Sequence, residues 1–170
     1  MQLNKNIVLI GMMGSGKSTI GYLLSKKLRF KFIDIDKAIE IETGEKIADI
    51  FKFKGEEYFR KIEEKITVKI LKSQNSVIAL GGGAFLNENI RNEAISKCIT
   101  VWLNWNNATI LKRIAKSKKR PLALGIKNSD IIQMISKRSK IYSLSQFKIN
   151  CEKIPKNMIV KKIVAIYERL

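Results

Sequence analysis

Short apolar runs alternate with longer amphipathic stretches along most of the chain. The runs are rich in Ile and Val, as buried strands are, and the stretches between them repeat their apolar residues at helical spacing. Predicted strands cover residues 7–10, 31–36, 77–80, 98–103 and 147–151. Predicted helices cover residues 17–28, 37–43, 47–51, 56–72, 88–96, 107–117, 130–142 and a last segment with Pro155 as its first helical residue. This alternation predicts an α/β fold, a single domain over residues 1–170 with a five-stranded parallel sheet and helices on both faces.

Glycine and proline mark the interruptions in this pattern. Gly44 follows one predicted helix as a left-handed cap, and Gly55 ends the next helical piece. Residues 116–127 show little periodicity, contain Pro121 and Gly125, and carry several lysines. We expect this segment to be a mobile lid that closes when a nucleotide brings negative charge to the cleft.

A phosphate-binding motif directly follows the first predicted strand and opens the first predicted helix. Residues 11–19 read GMMGSGKST and match the pattern G-x-x-x-x-G-K-[ST]. Glycines let the backbone N–H groups approach phosphate oxygens, and the positive end of the helix points at the same anion. Lys17 is predicted to reach the β- and γ-phosphates and Ser18 to ligate Mg²⁺. The other predicted contacts to the nucleotide in this loop are Gly14, Ser15, Gly16 and Thr19.

Two further groups are predicted to face the same cleft, because ligands in open α/β sheets bind beyond the carboxyl ends of the strands. Asp34 and Asp36 are two residues apart, so on a strand they would project to one side, where one could serve the metal and the other an acceptor hydroxyl. The alternative is that Asp36 only caps the following helix. Residues 81–83 are three consecutive glycines at the end of the third predicted strand, which suits a close approach to a ligand.

Composition narrows the chemistry. The chain has no histidine, which excludes imidazole bases, imidazole metal ligands and Ser–His triads. Its formal net charge is +18, which suits either a nucleic-acid surface or a solvated lysine-rich surface. We favour the second, because the basic residues are spread over the helices and few aromatic residues accompany them. The chain begins without a signal-like segment and has no apolar run of membrane-spanning length, so we expect a cytoplasmic protein with no membrane partner.

An ordered set of motifs resembles the shikimate kinase family from about residue 7 to residue 142. The matching segments after the phosphate loop are residues 34–36 (DID), 47–51 (IADIF), 55–56 (GE), 59–64 (FRKIEE), 81–83 (GGG), 120–122 (RPL) and 138–142 (RSKIY). The phosphate loop alone is common to many nucleotide enzymes, whereas this succession of motifs is much more specific. Tyr22 is a departure, since it stands where the family usually has arginine.

The resemblance implies that ATP phosphorylates the 3-hydroxyl of shikimate in aromatic amino acid (chorismate) biosynthesis. Its implied shikimate contacts are Asp36, Arg60, Gly82 and Arg138, with the two arginines on the carboxylate and Phe51 and Phe59 against the ring. Glu63 would hold Arg60, while Ser18 and Asp34 would belong to the shell of one Mg²⁺. Arg113 resembles the family's adenine-stacking arginine, and Arg120 resembles its lid arginine, which makes it a candidate catalytic residue with Lys17 and Asp36.

Other readings of the phosphate loop are possible. Nucleoside monophosphate kinases share the topology, and gluconate-type kinases share the size and the loop. A basic nucleotide-binding protein that binds nucleic acid is an alternative of another class. We expect small-molecule substrates, no nucleic-acid partner and a monomeric chain.

Overall fold

Five parallel strands form one sheet in the order β2-β3-β1-β4-β5. They are β1 (Ile7–Ile10), β2 (Lys31–Asp34), β3 (Ser76–Ala79), β4 (Ile99–Asn104) and β5 (Phe147–Asn150). The structure, a computed structural model, describes residues 5–116 and 127–170. Within these ranges the helices are α1 (Lys17–Leu28), α2 (Ile35–Thr43), α3 (Ile47–Leu71), α4 (Glu88–Lys97), α5 (Asn107–Ala115), α6 (Asn128–Tyr142) and α7 (Lys156–Glu168). A 3₁₀ turn, Ala84–Leu86, precedes α4 and was not predicted.

Two apolar cores, one on each face, explain why helices cover both sides of the sheet. Alternate residues of β1 enter different cores: Val8 and Ile10 pack with α2 to α6, and Ile7 and Leu9 pack with α1 and α7. All four β1 side chains are buried, as expected for a central strand of a parallel sheet. The predicted α/β fold with a parallel five-stranded sheet and helices on both faces is therefore confirmed.

The largest error in the predicted strand ends is at β2. Strand β2 ends at Asp34 and α2 begins at Ile35, so Asp36 lies in the first helical turn and not on a strand. The helix cap is Asp34, whose carboxylate accepts a hydrogen bond from the backbone N–H of Lys37. The helix starts early because Ile35 is fully buried in the core against α3, and that burial is a tertiary effect.

Several smaller boundaries also differ. The two helical pieces predicted on either side of Gly55 belong to α3, and the backbone of Gly55 is non-helical with φ 83° and ψ 172°. Gly44 caps α2 in the left-handed region, as predicted. Pro155 is the N-cap of α7 and not its first helical residue. Residues 117–126, which make up most of the predicted lid and include Arg120, lie outside the described residues.

Candidate active site

A cleft of about 730 Å³ opens at the carboxyl edge of the sheet, where β1, β2 and β3 end. The parallel strands bring their following loops to this one edge, so segments far apart in sequence meet there. Ten of the predicted site residues line the cleft: Gly14, Gly16, Lys17, Ser18, Thr19, Asp34, Asp36, Arg60, Gly82 and Arg138.

Left-handed glycines shape the phosphate loop. Gly14 and Gly16 have φ of 78° and 87°, which an L side chain rarely adopts, and Gly16 is the N-cap of α1. The Lys17 ammonium lies inside the loop and donates to the carbonyl oxygens of Gly11 and Met12 at 2.7 and 2.9 Å. The loop thus holds a cation and a helix N-terminus at one end of the cleft, an arrangement suited to phosphate groups.

Ser18 and Asp34 form a pair of hard oxygen donors beside this loop. The Ser18 hydroxyl donates to Asp34 Oδ2 at 2.7 Å, although the two residues come from different elements. Among the described residues no cluster of three or more acidic, Cys or His side chains could hold a metal by itself. A hydroxyl and one carboxylate beside a phosphate site instead suit Mg²⁺, which takes few protein ligands and completes its shell with phosphate oxygens and water.

A second end of the cleft, formed by Asp36, Arg60, Glu63 and residues 81–83, is built from charged side chains. Arg60 donates through Nη1 to Glu63 Oε2 at 2.6 Å and through Nε and Nη2 to Glu56 Oε1 at 3.2 and 3.1 Å. Glu63 is 2% exposed, so it fixes the guanidinium from the interior side. Burial raises the pKa of the Glu63 carboxyl above its ordinary value, and the Arg60 guanidinium opposes that rise.

The three glycines after β3 make room for these side chains. An added Cβ at Gly81 would lie 2.9 Å from oxygens of both Asp36 and Glu63, and one at Gly83 would lie 2.9 Å from Arg60 Nη1. None of the three has a positive φ, so glycine is needed here for space and not for backbone conformation. The sequence predicted that a ligand approaches these glycines closely. In this structure the groups that lie close to them are the side chains of Asp36, Glu63 and Arg60.

Helix α6 supplies a second arginine to the same end of the cleft. Arg138 donates through Nη1 to the carbonyl oxygen of Gly82 at 3.2 Å, and the hydroxyl of Tyr142, one helical turn further, donates to the same oxygen. Burial raises the pKa of the Tyr142 hydroxyl, with Arg138 opposing, which keeps the hydroxyl protonated as a donor. The sequence segment 138–142 that resembles the family includes Tyr142, but the spacing of its residues does not predict the hydrogen bond to Gly82.

Two predicted nucleotide contacts lie beside the cleft and do not line it. Ser15 is 1% exposed and its backbone N–H donates to the carbonyl of Met12 at 3.1 Å. Arg113, on α5, donates through Nη1 to the carbonyl of Gly14 at 3.2 Å. Trp105 also contacts this loop, through a hydrogen bond to Ser15. The sequence does not predict this contact, because an aromatic residue after a strand is typical of ordinary core packing.

A cleft with a phosphate loop at one end and an acid and paired arginines at a second is typical of a kinase that phosphorylates a small anionic molecule. Comparison with known proteins agrees. The family model described as shikimate kinase matches residues 13–168. The chain belongs to the shikimate kinase family, and it is therefore a phosphotransferase.

Individual relatives show how close this similarity is. The shikimate kinase of a Sulfurihydrogenibium species is 41% identical over 165 residues, covering 97% of this chain and 99% of the relative. The crystal structure of shikimate kinase from Aquifex aeolicus is 37% identical, with a TM-score of 0.86 and 96% of both chains covered. The structure of the Acinetobacter baumannii enzyme in complex with shikimate has a TM-score of 0.90 and 29% identity, covering 97% of this chain and 93% of that one.

Proposed function

We propose that this cleft binds ATP and shikimate side by side and transfers the γ-phosphoryl group to the 3-hydroxyl of shikimate. The products are shikimate 3-phosphate and ADP, a step in aromatic amino acid (chorismate) biosynthesis. One observation carries the assignment of the acceptor end: Arg60 and Arg138 both approach the glycine loop next to Asp36, in the cleft that the phosphate loop also lines. Two arginines beside one carboxylate suit an acceptor that has both a carboxylate and hydroxyl groups.

The nucleotide end consists of one continuous segment, with Arg113 from α5 and Asp34 from the end of β2 beside it. Backbone N–H groups of residues 14–19 hold the phosphates, and Lys17 places its charge between the β- and γ-phosphates. Arg113 of α5 lies against Gly14 and takes the base. Ser18 and Asp34 would hold the Mg²⁺ that accompanies ATP, and a bound ion would neutralise charge on the phosphate oxygens.

The acceptor end fixes shikimate by its carboxylate. Arg60 and Arg138 bind the carboxylate, Gly82 contributes its backbone, and Glu63 keeps Arg60 in one orientation. The rings of Phe51 and Phe59 lie 4.6 Å apart at the cleft wall and pack against the carbocycle. Asp36 then orients the 3-hydroxyl toward the γ-phosphate and accepts its proton.

Arg120 lies outside the described residues, and its part in the proposal comes from the family resemblance alone: its charge would stabilise the transferring phosphoryl group. We expect Arg120→Ala to lower kcat by about 10²-fold with little change in the KM for shikimate, because its charge acts only on the phosphoryl group. Near-normal turnover by this variant would remove Arg120 from the mechanism.

The remaining expectations concern the setting of the enzyme. We expect a monomer in the cytoplasm with no nucleic-acid partner. Among the described residues no helix is long and apolar enough to cross a membrane.

A coupled ADP-release assay tests the proposed reaction. Purified enzyme with Mg-ATP is offered shikimate, quinate, gluconate and nucleoside monophosphates, with Lys17→Ala as the control for background ATPase. We expect shikimate to have the highest kcat/KM and the product to carry phosphate on the 3-hydroxyl. A higher kcat/KM for gluconate or AMP would contradict the assignment.

A further inference from the structure

Trp105 lies where the sheet brings the ends of two neighbouring strands together. It directly follows β4, which pairs with β1, so it meets the phosphate loop that follows β1. Its indole Nε1 donates to the carbonyl oxygen of Ser15 at 2.9 Å. The side chain is half-buried and packs against both apolar cores, which fixes its position.

Arg113 stacks on this indole. Its guanidinium carbon lies 3.7 Å from the indole ring centroid, whereas the other cation–ring contacts among the described residues span 4.6 to 5.5 Å. The same guanidinium donates to the carbonyl of Gly14, and an added Cβ at Gly14 would lie 3.5 Å from Arg113 Cβ. The stacked pair therefore binds two consecutive carbonyls of the phosphate loop, those of Gly14 and Ser15.

The element that carries Arg113 is itself held in place. Thr109, one turn earlier on α5, donates to both carboxylate oxygens of Glu152 at 2.9 and 3.1 Å. Glu152 belongs to the loop after β5 and also accepts from the backbone N–H of Asn106. Helix α5 is thus fastened at its first turn, and the guanidinium has little freedom to rotate off the indole.

We propose that Trp105 is a positioning residue for the nucleotide: it fixes the Arg113 guanidinium as a flat platform for the base and ties that platform to the phosphate loop. A planar guanidinium has two faces, and the indole covers one of them, so a base stacks on the opposite face. This inference rests on the proposed nucleotide end of the cleft and adds a residue to which no role has been assigned.

The mechanism predicts a specific pattern of losses. Without the indole, Arg113 can adopt many rotamers, and a base must order it again on binding. The carbonyl of Ser15 also loses a donor, which loosens the loop around the phosphates. Loss of the indole should therefore weaken the binding of a nucleotide, which has a base, more than the binding of a ligand that has only phosphates. The binding of the acceptor should not change.

Direct binding to the full-length protein tests this without any catalytic turnover. Titration calorimetry measures Kd for ADP, for inorganic tripolyphosphate and for shikimate, and thermal unfolding monitors the fold. We expect Trp105→Leu to raise the Kd for ADP by about tenfold and that for tripolyphosphate by about threefold, with shikimate unchanged. Trp105→Phe keeps a stacking ring but loses the N–H donor, and we expect about a threefold rise for ADP.

Two further variants complete the design. Trp102→Phe changes the chain's other tryptophan, which is buried in the core near Tyr142, and should leave ADP affinity unchanged. In an Arg113→Ala background, Trp105→Leu should raise the Kd for ADP by no more than about threefold, because the platform is already absent.

The outcomes separate the inference from the proposed function. Equal losses for ADP, tripolyphosphate and shikimate, or fully additive effects of Trp105→Leu and Arg113→Ala, would overturn the positioning role. If Trp105→Leu does not fold, an unchanged ADP affinity in Trp105→Phe would overturn the part played by the Ser15 hydrogen bond. If the proposed function were wrong, the wild-type protein itself would fail to bind ADP or to transfer phosphate to shikimate.

Discussion

The two ends of the cleft are built in different ways. The phosphate end is one continuous segment, residues 11–19, whose backbone and left-handed glycines set its shape. The acceptor end collects Asp36 from α2, Arg60 and Glu63 from α3, the glycine loop after β3, and Arg138 with Tyr142 from α6. The backbone of the phosphate loop is determined by a short stretch of sequence, whereas the acceptor end forms only when several distant segments have folded together.

This difference predicts how each end responds to substitution. In the phosphate end, most of the groups that bind phosphate are backbone N–H groups, and side-chain substitutions do not remove them. The few side chains that contribute there do so through their charge. In the acceptor end, charged side chains hold one another, so the loss of one leaves its neighbours buried without a partner. We expect kcat effects from the first kind of change and KM effects for the acceptor from the second, except at Asp36, whose carboxylate acts on the proton of the acceptor hydroxyl and should affect kcat.

The largest effect should follow Lys17→Ala. Its ammonium, which now contacts the carbonyls of Gly11 and Met12, would stabilise charge on the transferring phosphate. Losing one such contact costs about 3–4 kcal/mol, so kcat should fall by about 10²–10³-fold. Steady-state kinetics checks this, with the exposed Lys27→Ala on the same helix as control. A variant with half of the wild-type kcat would show that the loop is not catalytic.

The contrast between the two ends also explains what the sequence could reveal. The strand and the helix that flank the phosphate loop have the predicted bounds, residues 7–10 and 17–28, because strand, motif and helix are contiguous in sequence. The start of α2 at Ile35 was missed, since it depends on burying that side chain against α3, which the spacing of Asp34 and Asp36 does not show. The contacts of Trp105 and Arg113 with the phosphate loop depend on β4 lying beside β1, a strand order that the alternation of elements leaves open.

Asp36→Asn should give the next largest effect. An amide can hydrogen-bond the acceptor hydroxyl but cannot accept its proton, so kcat should fall by about 10²-fold while the KM for shikimate changes little. The same substitution at Asp49, an acid in the first turn of α3, serves as the matched control. If Asp36→Asn matched the wild type in both constants, the carboxylate would have no part in orienting or deprotonating the acceptor.

Arg60→Ala should act on binding more than on turnover. The change removes one contact to the shikimate carboxylate and leaves Glu63, which is 2% exposed, without its arginine. We expect the KM for shikimate to rise by about 30-fold, equivalent to about 2 kcal/mol, with the KM for ATP within about twofold of wild type. Lys61→Ala, which breaks the exposed pair with Glu57 on the same helix, should change neither constant. A parallel rise in both KM values would mean that the two ends are not separate.

The smallest expected effect tests the point where the two ends touch. The Tyr142 hydroxyl donates to the carbonyl of Gly82 in the acceptor end and lies 3.8 Å from the sulfur of Met12 in the phosphate loop. Tyr142→Phe keeps the ring, which packs 5.9 Å from Trp102, and removes only the hydroxyl.

The Gly82 carbonyl would then keep Arg138 as a donor but lose the second one, and Arg138 would be drawn further toward the carbonyl and away from the acceptor. One lost hydrogen bond of this kind costs about 1 kcal/mol, so the KM for shikimate should rise by about fivefold. The KM for ATP should stay constant, because a thioether is only a weak acceptor and Met12 loses little. Equal rises in both constants would instead make Tyr142 a coupling residue between the two ends. Comparing Tyr142→Phe with Tyr167→Phe, a change at a tyrosine that packs against Phe30 near α1, separates this local effect from a general loss of stability.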